Sequence, residues 1–573
     1  MNDELLKIGR VVEVDGASVT GELEVAVGDL YRTYKSRRYA IGQVGSIVKI
    51  ESGDDLVFGI LTRLRMAEMP HDQEPTSSRV DVAASKWIEI QLLGQGRRNS
   101  LAHADFEFER GVSSYPLPGQ PIHLASIEEL RRVYQKPKKP TIRVGSLAQA
   151  SGLPVHVMID ELLGKHFAVL GTTGSGKSCA LALLLQSILS EYPHAHIILL
   201  DPHNEYSKQT VFADQADRID LTVLELPHWL LNHEEACRLF LGKSPDQATV
   251  LAAILHEAIL SCRRKFIEGK GNAKALTVDS PVPYRIGDVL AYLIEHEPKD
   301  GGKPAKEPYQ KTSARIQALR DDKRFEFLMR PDDGLTDNLS SLLSKLFRIP
   351  DDQKPIALID LSGVPSDVID LVVSLLCRII FDFAVWNLAR RDTPLLLVCE
   401  EAHRYAPRSE RVEFHAARQS LSRIAKEGRK YGVSLALVTQ RPSELSETIL
   451  SQCNTIIALR MGNEQDQAFV AKALPDSVRS LVDALPALRT REAMIVGEGC
   501  SVPVRFLFDE LDEDRQPHSS EAPFSTSWKS VPGSTEIVSE AVRRWREQDR
   551  STTEHGRAIA HPQARTPGQK AAE

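Results

Sequence analysis

The sequence is 573 residues long, 42% hydrophobic and 26% charged, with a net charge of −7 at neutral pH. That composition is that of a soluble protein with ample core, and the length suggests about four domains, fewer if one is large. The acidic balance gives no support to nucleic-acid binding through bulk charge, but it leaves room for a basic channel inside a ring.

The seven cysteines (Cys179, Cys237, Cys262, Cys377, Cys399, Cys453, Cys500) are scattered with no C-x-x-C pair. This argues against a zinc ribbon or disulfide framework and fits a reducing cytosol. The first residues, MNDELLKIGR, contain no apolar core of a signal peptide. No apolar run approaches the roughly 20 residues that span a bilayer. A cytoplasmic location without membrane contact is expected.

Residues 1–134 read as a small β-barrel. Ile8–Val14, Ser18–Val25, Val44–Ile50, Leu56–Leu64, Trp87–Leu93 and Ile122–Ala125 are short, β-branched and punctuated by Gly or Asp. Within them Tyr31–Tyr39 (YRTYKSRRY) interleaves bases and aromatics. A solvated loop or barrel rim explains that pattern more simply than a nucleic-acid surface does. The proline- and lysine-rich Gln135–Pro140 forms a linker.

The stretch His166–Ser178, HFAVLGTTGSGKS, organises the remainder. Phe167–Leu170 is an apolar run of the kind found in buried parallel strands. Gly171-Thr172-Thr173-Gly174-Ser175-Gly176-Lys177-Ser178 is an uninterrupted G-x-x-x-x-G-K-[ST], and Cys179 opens a helical run over Ala180–Leu189. Strand, glycine loop and helix together form a phosphate site. The glycines let backbone N–H groups face inward at phosphate oxygens, and the helix N-terminus favours anions. Lys177 is expected on the β- and γ-phosphates of ATP, and Ser178 on Mg²⁺.

A second strand over His196–Leu200 ends in Asp201-Pro202-His203-Asn204-Glu205. Asp201 and Glu205 are candidates to orient water or contact the nucleotide; both could instead be turn or cap residues. Leu221–Leu226 is a further strand candidate. The ATPase core thus covers 135–233, a helical insertion 234–350 (with a polar break at Pro298–Pro308), and the core resumes over 351–513. In this second part strands at Ile356–Leu361, Leu395–Cys399, Val433–Thr439 and Thr455–Leu459 alternate with helices at Asp367–Phe383 and Glu413–Lys430, the pattern of a parallel, doubly wound sheet. Ala493–Val496 and Val504–Leu507 are short strand candidates. Residues 514–573 are rich in Ser, Pro, Thr and charge and read as largely disordered, with one helix over about Thr535–Arg550. The fold class is therefore α/β: a RecA-like P-loop parallel sheet with an N-terminal barrel and an inserted helical subdomain.

Hydrolysis needs more than a phosphate loop: a carboxylate on the metal side and a group that orients water. LLLVCEE supplies both at a strand tip. Glu400 is the candidate metal-side acid, acting through water, and Glu401 the candidate base. The first acid of such pairs is usually Asp; the longer Glu400 can still reach a metal-bound water. Gln440 ends the strand LALVTQ and is placed to sense the γ-phosphate. Arg423, Arg429 and Arg441 are candidate cations for transition-state charge. Arg429 is preferred, as a finger inserted into a neighbouring subunit's site. Glu-Glu-Ala-His invites comparison with DEAH helicases, but no Ser-Ala-Thr motif follows.

The ordered set HFAVLGTTGSGKS, LLDPHNEYS, IALIDLSGVP, LLLVCEEAHRYAP, IAKEGRKYGVSLALVTQRPSEL and SQCNTIIALR closely resembles the HerA ATPases of the HerA/FtsK group. The resemblance spans about residues 5–510. It implies a homohexameric ring that hydrolyses ATP with Mg²⁺ between subunits and moves double-stranded DNA through its pore. It also implies an effector partner docked on the barrel, a NurA-type nuclease or, in bacterial antiviral defence, a nuclease or sirtuin-like enzyme. The divergent tail and the Glu-Glu pair point to a bacterial defence-type member. The alternative is an ATP-binding scaffold that activates an effector without moving DNA. A conjugation coupling pump shares the core but brings membrane helices, which the sequence lacks.

Overall fold

The computed structural model describes residues 3–24, 31–66, 86–98, 106–150, 152–220, 224, 226–242, 249–268, 273–300, 302–329, 335–389, 392–409, 415–517, 524–529 and 535–547. The chain divides into two compact units, one formed by residues 1–219 with 337–519, the other by 220–336 with 520–573.

The first unit begins with β1 (Lys7–Asp15), β2 (Ser18–Leu23), β3 (Tyr31–Tyr34), β4 (Arg37–Ala40), β5 (Ile47–Ser52), β6 (Asp55–Met66), β7 (Lys86–Arg98), β8 (Phe106–Arg110) and β9 (Pro121–Leu124). Their order is β2-β1-β9-β5-β6-β7-β8, and β2 also pairs with β7. Six strands therefore close into a barrel, and β8 is appended to β7. Val19, Val48, Val57, Leu61, Ile88 and Ile90 fill the interior, as the small bore of a six-strand barrel requires. The expected barrel is present; Val25, the end of one expected strand, lies outside the described residues.

The basic–aromatic stretch is the β3–β4 hairpin, with Tyr31 opposite Ala40 and Tyr34 opposite Arg37. Tyr34 and Tyr39 pack against the barrel core, while Lys35, Arg37 and Arg38 are exposed. The helix Ile127–Val133 follows β9 behind a capping box of Ser126 and Glu129. The same Glu129 accepts a 2.7 Å hydrogen bond from Lys49 Nζ of β5, both side chains being buried.

The sheet of the core contains β10 (Thr141–Leu147), β11 (Pro154–Met158), β12 (Phe167–Leu170), β13 (Ile197–Asp201), β14 (Ala216–Asp220), β15 (Ile356–Asp360), β16 (Leu395–Cys399), β17 (Val433–Thr439), β18 (Thr455–Leu459), β19 (Glu492–Gly497) and β20 (Val504–Phe508). Its order is β11-β10-β20-β19-β18-β12-β17-β16-β13-β15-β14. From β18 to β15 the strands are parallel, and β19, β20, β10 and β11 extend it as an antiparallel wing. Every residue of β12, β13, β15, β16, β17 and β18 is buried, which explains their unbroken apolar runs: helices cover both faces of such a sheet. Each Leu, Ile or Val withdrawn there is worth roughly 1.5–3 kcal/mol.

The strand expected at Leu221–Leu226 lies mostly outside the described residues; the edge strand of this region is β14, just before it. The wing joins the barrel through polar contacts. Gln149 Nε2 donates to the Gly45 carbonyl, its Oε1 accepts from the Ile47 N–H at 3.3 Å, and Arg505 Nη1 lies 3.5 Å from the Val44 carbonyl.

The second unit opens at Asp220 and closes at Thr336 before the chain returns to the sheet. The expected insertion boundaries of 234 and 350 therefore shift, and the helix Leu339–Phe347 belongs with the first unit. The unit's helices are His233–Leu241, Thr249–Ile267, Ile286–Glu295 and Gly302–Asp321. The expected break at Pro298–Pro308 is half right: the last helix runs through Pro308. Pro304 sits in its first turn, where a missing N–H costs nothing, so only Pro308 removes a bond. Arg263 is fully buried at the centre, its guanidinium donating to the carbonyls of Trp229, Leu231, Val278 and Ser280. Among residues 520–573, grouped with this unit, the helix Thr535–Glu547 is described; the expected disorder from 551 onward lies outside the described residues.

Among the described residues no helix is long and apolar enough to cross a membrane. All seven cysteines are free thiols.

Candidate active site

Parallel register brings five strand tips to one edge of the sheet. Leu170 of β12 lies beside Thr439 of β17 on one side and Ala458 of β18 on the other. Cys399 of β16 lies beside Leu437 of β17 and Leu200 of β13. The residues that follow these positions are Gly171, Gln440, Arg460, Glu400, Glu401 and, after Asp201, the turn to Glu205. Ligands of open parallel sheets bind at this carboxyl edge.

The phosphate loop is held from both neighbouring strands. The Gly171 N–H donates to the Thr439 carbonyl at 3.3 Å, and the Thr172 N–H and hydroxyl donate to the Arg460 carbonyl at 3.1 and 3.0 Å. The Thr173 hydroxyl donates to Gln440 Oε1. A side chain at Gly171 would sit 2.7 Å from Ser175 Oγ and 2.9 Å from Leu459 Cβ, so only glycine fits. Gly174 and Gly176 take φ of +73° and +94°, which curls the loop around an inward-facing concavity. The helix Lys177–Glu191 begins at Gly176 with no side-chain cap, leaving its first N–H groups for a ligand.

Lys177 Nζ lies 3.6 Å from Glu400 Oε1 and 3.6 Å from Glu401 Oε1, and all three side chains are buried. Burial pulls the ammonium pKa down, but Glu400, Glu401 and Glu205 outweigh it and hold Lys177 above its ordinary value. Burial pushes Glu400 up to about 8, Lys177 opposing and Glu401, Glu205 and Asp201 adding to the rise. Glu401 occupies a left-handed backbone conformation, φ 50° and ψ 46°. For a residue with a Cβ that costs roughly 1–2 kcal/mol, and such strain gathers at functional sites.

Buried polar atoms without a hydrogen-bond partner cluster here: Ser175 Oγ, both Glu400 oxygens, Glu401 Oε2 and the Tyr206 hydroxyl. Such atoms are costly unless a ligand completes them. Their chemistry, a hydroxyl and two carboxylates around one lysine beside open N–H groups, fits a phosphate with its divalent cation. Among the described residues no group of three or more His, Cys, Asp or Glu side chains is placed to hold a metal.

The other expected residues divide. Asp201 accepts N–H bonds from His203, Glu205 and Tyr206 at 3.2, 3.2 and 3.1 Å. Its oxygens are occupied by the turn, so the structure makes it the residue that presents Glu205 rather than a direct nucleotide ligand. Glu205 lies within electrostatic reach of Lys177 and Cys179, and Cys179 is half-buried behind Ser178.

Arg441 pairs with Glu444 at 2.9 Å and lines a cavity with Thr172, Thr173 and Gln440 on the phosphate side. Arg423 stacks on Phe381, 4.2 Å from the ring centroid. Arg429 is exposed and lies at the other edge of the sheet, in the turn before β17, where it lines a mainly apolar cavity with Tyr192, His196 and Leu395. It does not join the phosphate site of its own chain.

Sequence reasoning missed Arg460, which follows β18 and lies 3.5 Å from the Gly174 carbonyl. It also missed Tyr206, whose buried hydroxyl faces Ser178. The strand-tip rule that selected Gln440 would have selected Arg460 as well.

Residues 142–380 match the family model described as "Helicase HerA, central domain". The curated protein "DNA double-strand break repair helicase HerA" of Pyrococcus furiosus is 27% identical over 422 residues, 67% of this chain and 72% of the relative. Its counterpart in Sulfolobus acidocaldarius is 27% identical over 514 residues, 88% of this chain and 95% of the relative. That of Sulfurisphaera tokodaii is 29% identical over 478 residues, 82% and 88% of the two chains. The match opens at the first strand after the barrel, runs through the phosphate loop and is carried across most of the chain by these relatives, so that the chain is similar to the HerA ATPases over most of its length.

Proposed function

We propose that the protein is a homohexameric ring that hydrolyses ATP between subunits and uses the energy to move double-stranded DNA, in partnership with a nuclease or another effector such as a sirtuin-like enzyme. The observation that carries this reading is the position of Lys177, 3.6 Å from two buried carboxylates at the strand edge where the phosphate loop opens. The names of the relatives, DNA double-strand break repair helicases, supply the substrate.

In this reading the loop N–H groups from Gly171 to Ser178, with Cys179, cradle the phosphates, and Lys177 leaves the glutamates for the β- and γ-oxygens. Ser178 and Glu400 would hold Mg²⁺, which would supply charge neutralisation at the phosphates. Glu401 polarises the attacking water, and Gln440 fixes that water against the γ-phosphate. Glu205, presented by the Asp201 turn, orients the same water shell.

Developing charge is met by Arg429 of the neighbouring subunit. A head-to-tail ring joins two different surfaces of the subunit, and Arg429 and Gln440 stand at opposite ends of one strand, so an arginine on one surface can serve the site on the other. The barrel is the effector's docking site. A defence role in bacteria would follow from such an effector.

The test is steady-state ATPase with and without duplex DNA on assembled rings. Stimulation by DNA, abolished in Lys177→Ala, is expected. Intact rings whose rate ignores DNA, while Lys177→Ala leaves a bound effector active, would overturn translocation in favour of a scaffold.

A further inference from the structure

His403 belongs to none of the groups above, yet it joins two of them. It sits in the 3-10 turn Ala402–Arg404 that follows Glu401, and its side chain is 12% exposed. Its Nδ1 lies 2.9 Å from the Thr439 hydroxyl, within hydrogen-bond geometry. The same atom lies 3.2 Å from Glu401 Oε2, within ion-pair range but outside hydrogen-bond geometry.

With its proton on Nδ1, the ring sets the positive end of the N–H dipole near Glu401 Oε2 and donates to Thr439 Oγ1. That oxygen also accepts the Arg441 N–H at 3.1 Å, so both of its lone pairs are used.

Thr439 is fully buried and ends β17. Its carbonyl accepts the Gly171 N–H, and the next residue, Gln440, accepts the Thr173 hydroxyl. A chain of contacts thus runs from Glu401 through His403 to Thr439 and on to both ends of the first half of the phosphate loop. Glu401 has no hydrogen bond of its own at Oε2 and stands on a strained backbone. Lys177 holds only its Oε1 side, so Oε2 depends on what stands beside it.

We propose that His403 is a positioning residue: hydrogen-bonded to Thr439 at the tip of β17, its ring holds the Glu401 carboxylate there by charge–dipole attraction, so that base, Gln440 and phosphate loop keep one geometry. This deepens the reading of Glu401 as the water-polarising group and rests on it. His403 touches neither substrate nor metal.

The test compares His403→Ala, His403→Asn and His403→Gln with Thr439→Val and Glu401→Gln in the full-length protein. Asn places an N–H where Nδ1 was; Gln places one where Nε2 was. His403→Ala is expected to lower kcat roughly 10- to 100-fold, with KM for ATP and affinity for a fluorescent ATP analogue changed less than about threefold, since misplacement of a reacting group acts on the chemical step. His403→Asn should recover most of the rate and His403→Gln should not. Thr439→Val should reproduce the loss, and the double variant His403→Ala/Thr439→Val should be no worse than either single one.

Full activity in His403→Ala, equal rescue by Asn and Gln, or multiplying losses in the double variant would each overturn the clamp. A His403→Ala chain that does not fold leaves the Asn–Gln contrast and Thr439→Val to decide. If Glu401→Gln itself retains the wild-type rate, the reading of Glu401 falls, not merely the clamp; if Glu401→Gln is inactive while His403→Ala is not, only the clamp falls.

Discussion

Mixing two inactive variants should restore activity. β17 is 7 residues long, so its ends are about 23 Å apart at about 3.3 Å per residue. Arg429 lies beyond one end and Gln440 beyond the other. An arginine side chain extends about 7 Å from its Cα, so Arg429 falls well short of its own phosphate loop whatever rotamer it takes. If it is the transition-state cation, it serves another chain, and such a finger is worth roughly 10³–10⁵ in turnover.

Arg429→Ala and Lys177→Ala should therefore each be nearly inactive alone. In a randomly mixed ring, an intact site needs an Arg429→Ala chain to supply the loop and a Lys177→Ala chain to supply the arginine. Equal mixing gives that pairing at about one interface in four, hence about one quarter of the wild-type rate per subunit for independent sites. The two variants are co-expressed with different tags, purified through both, and assayed for ATPase. Doubly tagged rings no more active than either parent would refute the arrangement, as would a near-normal rate for Arg429→Ala alone.

Three further outcomes are expected. Glu401→Gln removes the candidate base and one negative charge beside Lys177: kcat should fall roughly 10²–10⁴-fold, while ATP binding measured by titration should tighten, and parallel loss of binding would speak against the assignment. In the barrel, Lys49→Met strands Glu129 as a buried charge and should lower stability by about 3–5 kcal/mol. Lys49→Met/Glu129→Gln keeps the capping box and should recover most of that loss in thermal unfolding; equal melting temperatures for the two variants would contradict this. For Glu492, burial raises the pKa, but Arg505, the Arg489 N–H and the Arg489 charge prevail and hold it below the ordinary glutamate value. A depressed folded value contributes stability above the unfolded pKa that is lost as pH falls through the folded one. The melting-temperature gap between wild type and Arg505→Met should thus be widest near neutral pH and shrink below the usual glutamate range; a gap independent of pH would refute the pairing.

How much could be read from the sequence follows from what kind of interaction sets each feature. The strands Phe167–Leu170, Leu395–Cys399 and Val433–Thr439 were legible to within a residue because burial on both faces forces continuous apolar runs between polar tips. Glu400, Glu401 and Gln440 were legible for the same reason, since a tip residue must face the ligand edge. Asp201 was readable as a tip, but its turn role stayed one of two alternatives, because its partners are backbone N–H groups that any sequence carries. The clamp from His403 to Thr439 joins residues 36 apart, and no local pattern encodes such a pairing. The wing strands at 141–158 were blurred because a hairpin at the sheet's end is only half buried and loses the continuous run.

The joint between barrel and wing touches main-chain atoms of the barrel: the Val44 and Gly45 carbonyls and the Ile47 N–H. Backbone atoms sit in the same places whatever side chains surround them, so long as the fold is kept. Gln149 and Arg505 therefore anchor the barrel without reading its sequence. Mutations can accumulate over the barrel's outer surface at little cost to these hydrogen bonds. The joint thus constrains the path of the barrel's backbone and leaves its outward side chains free to vary.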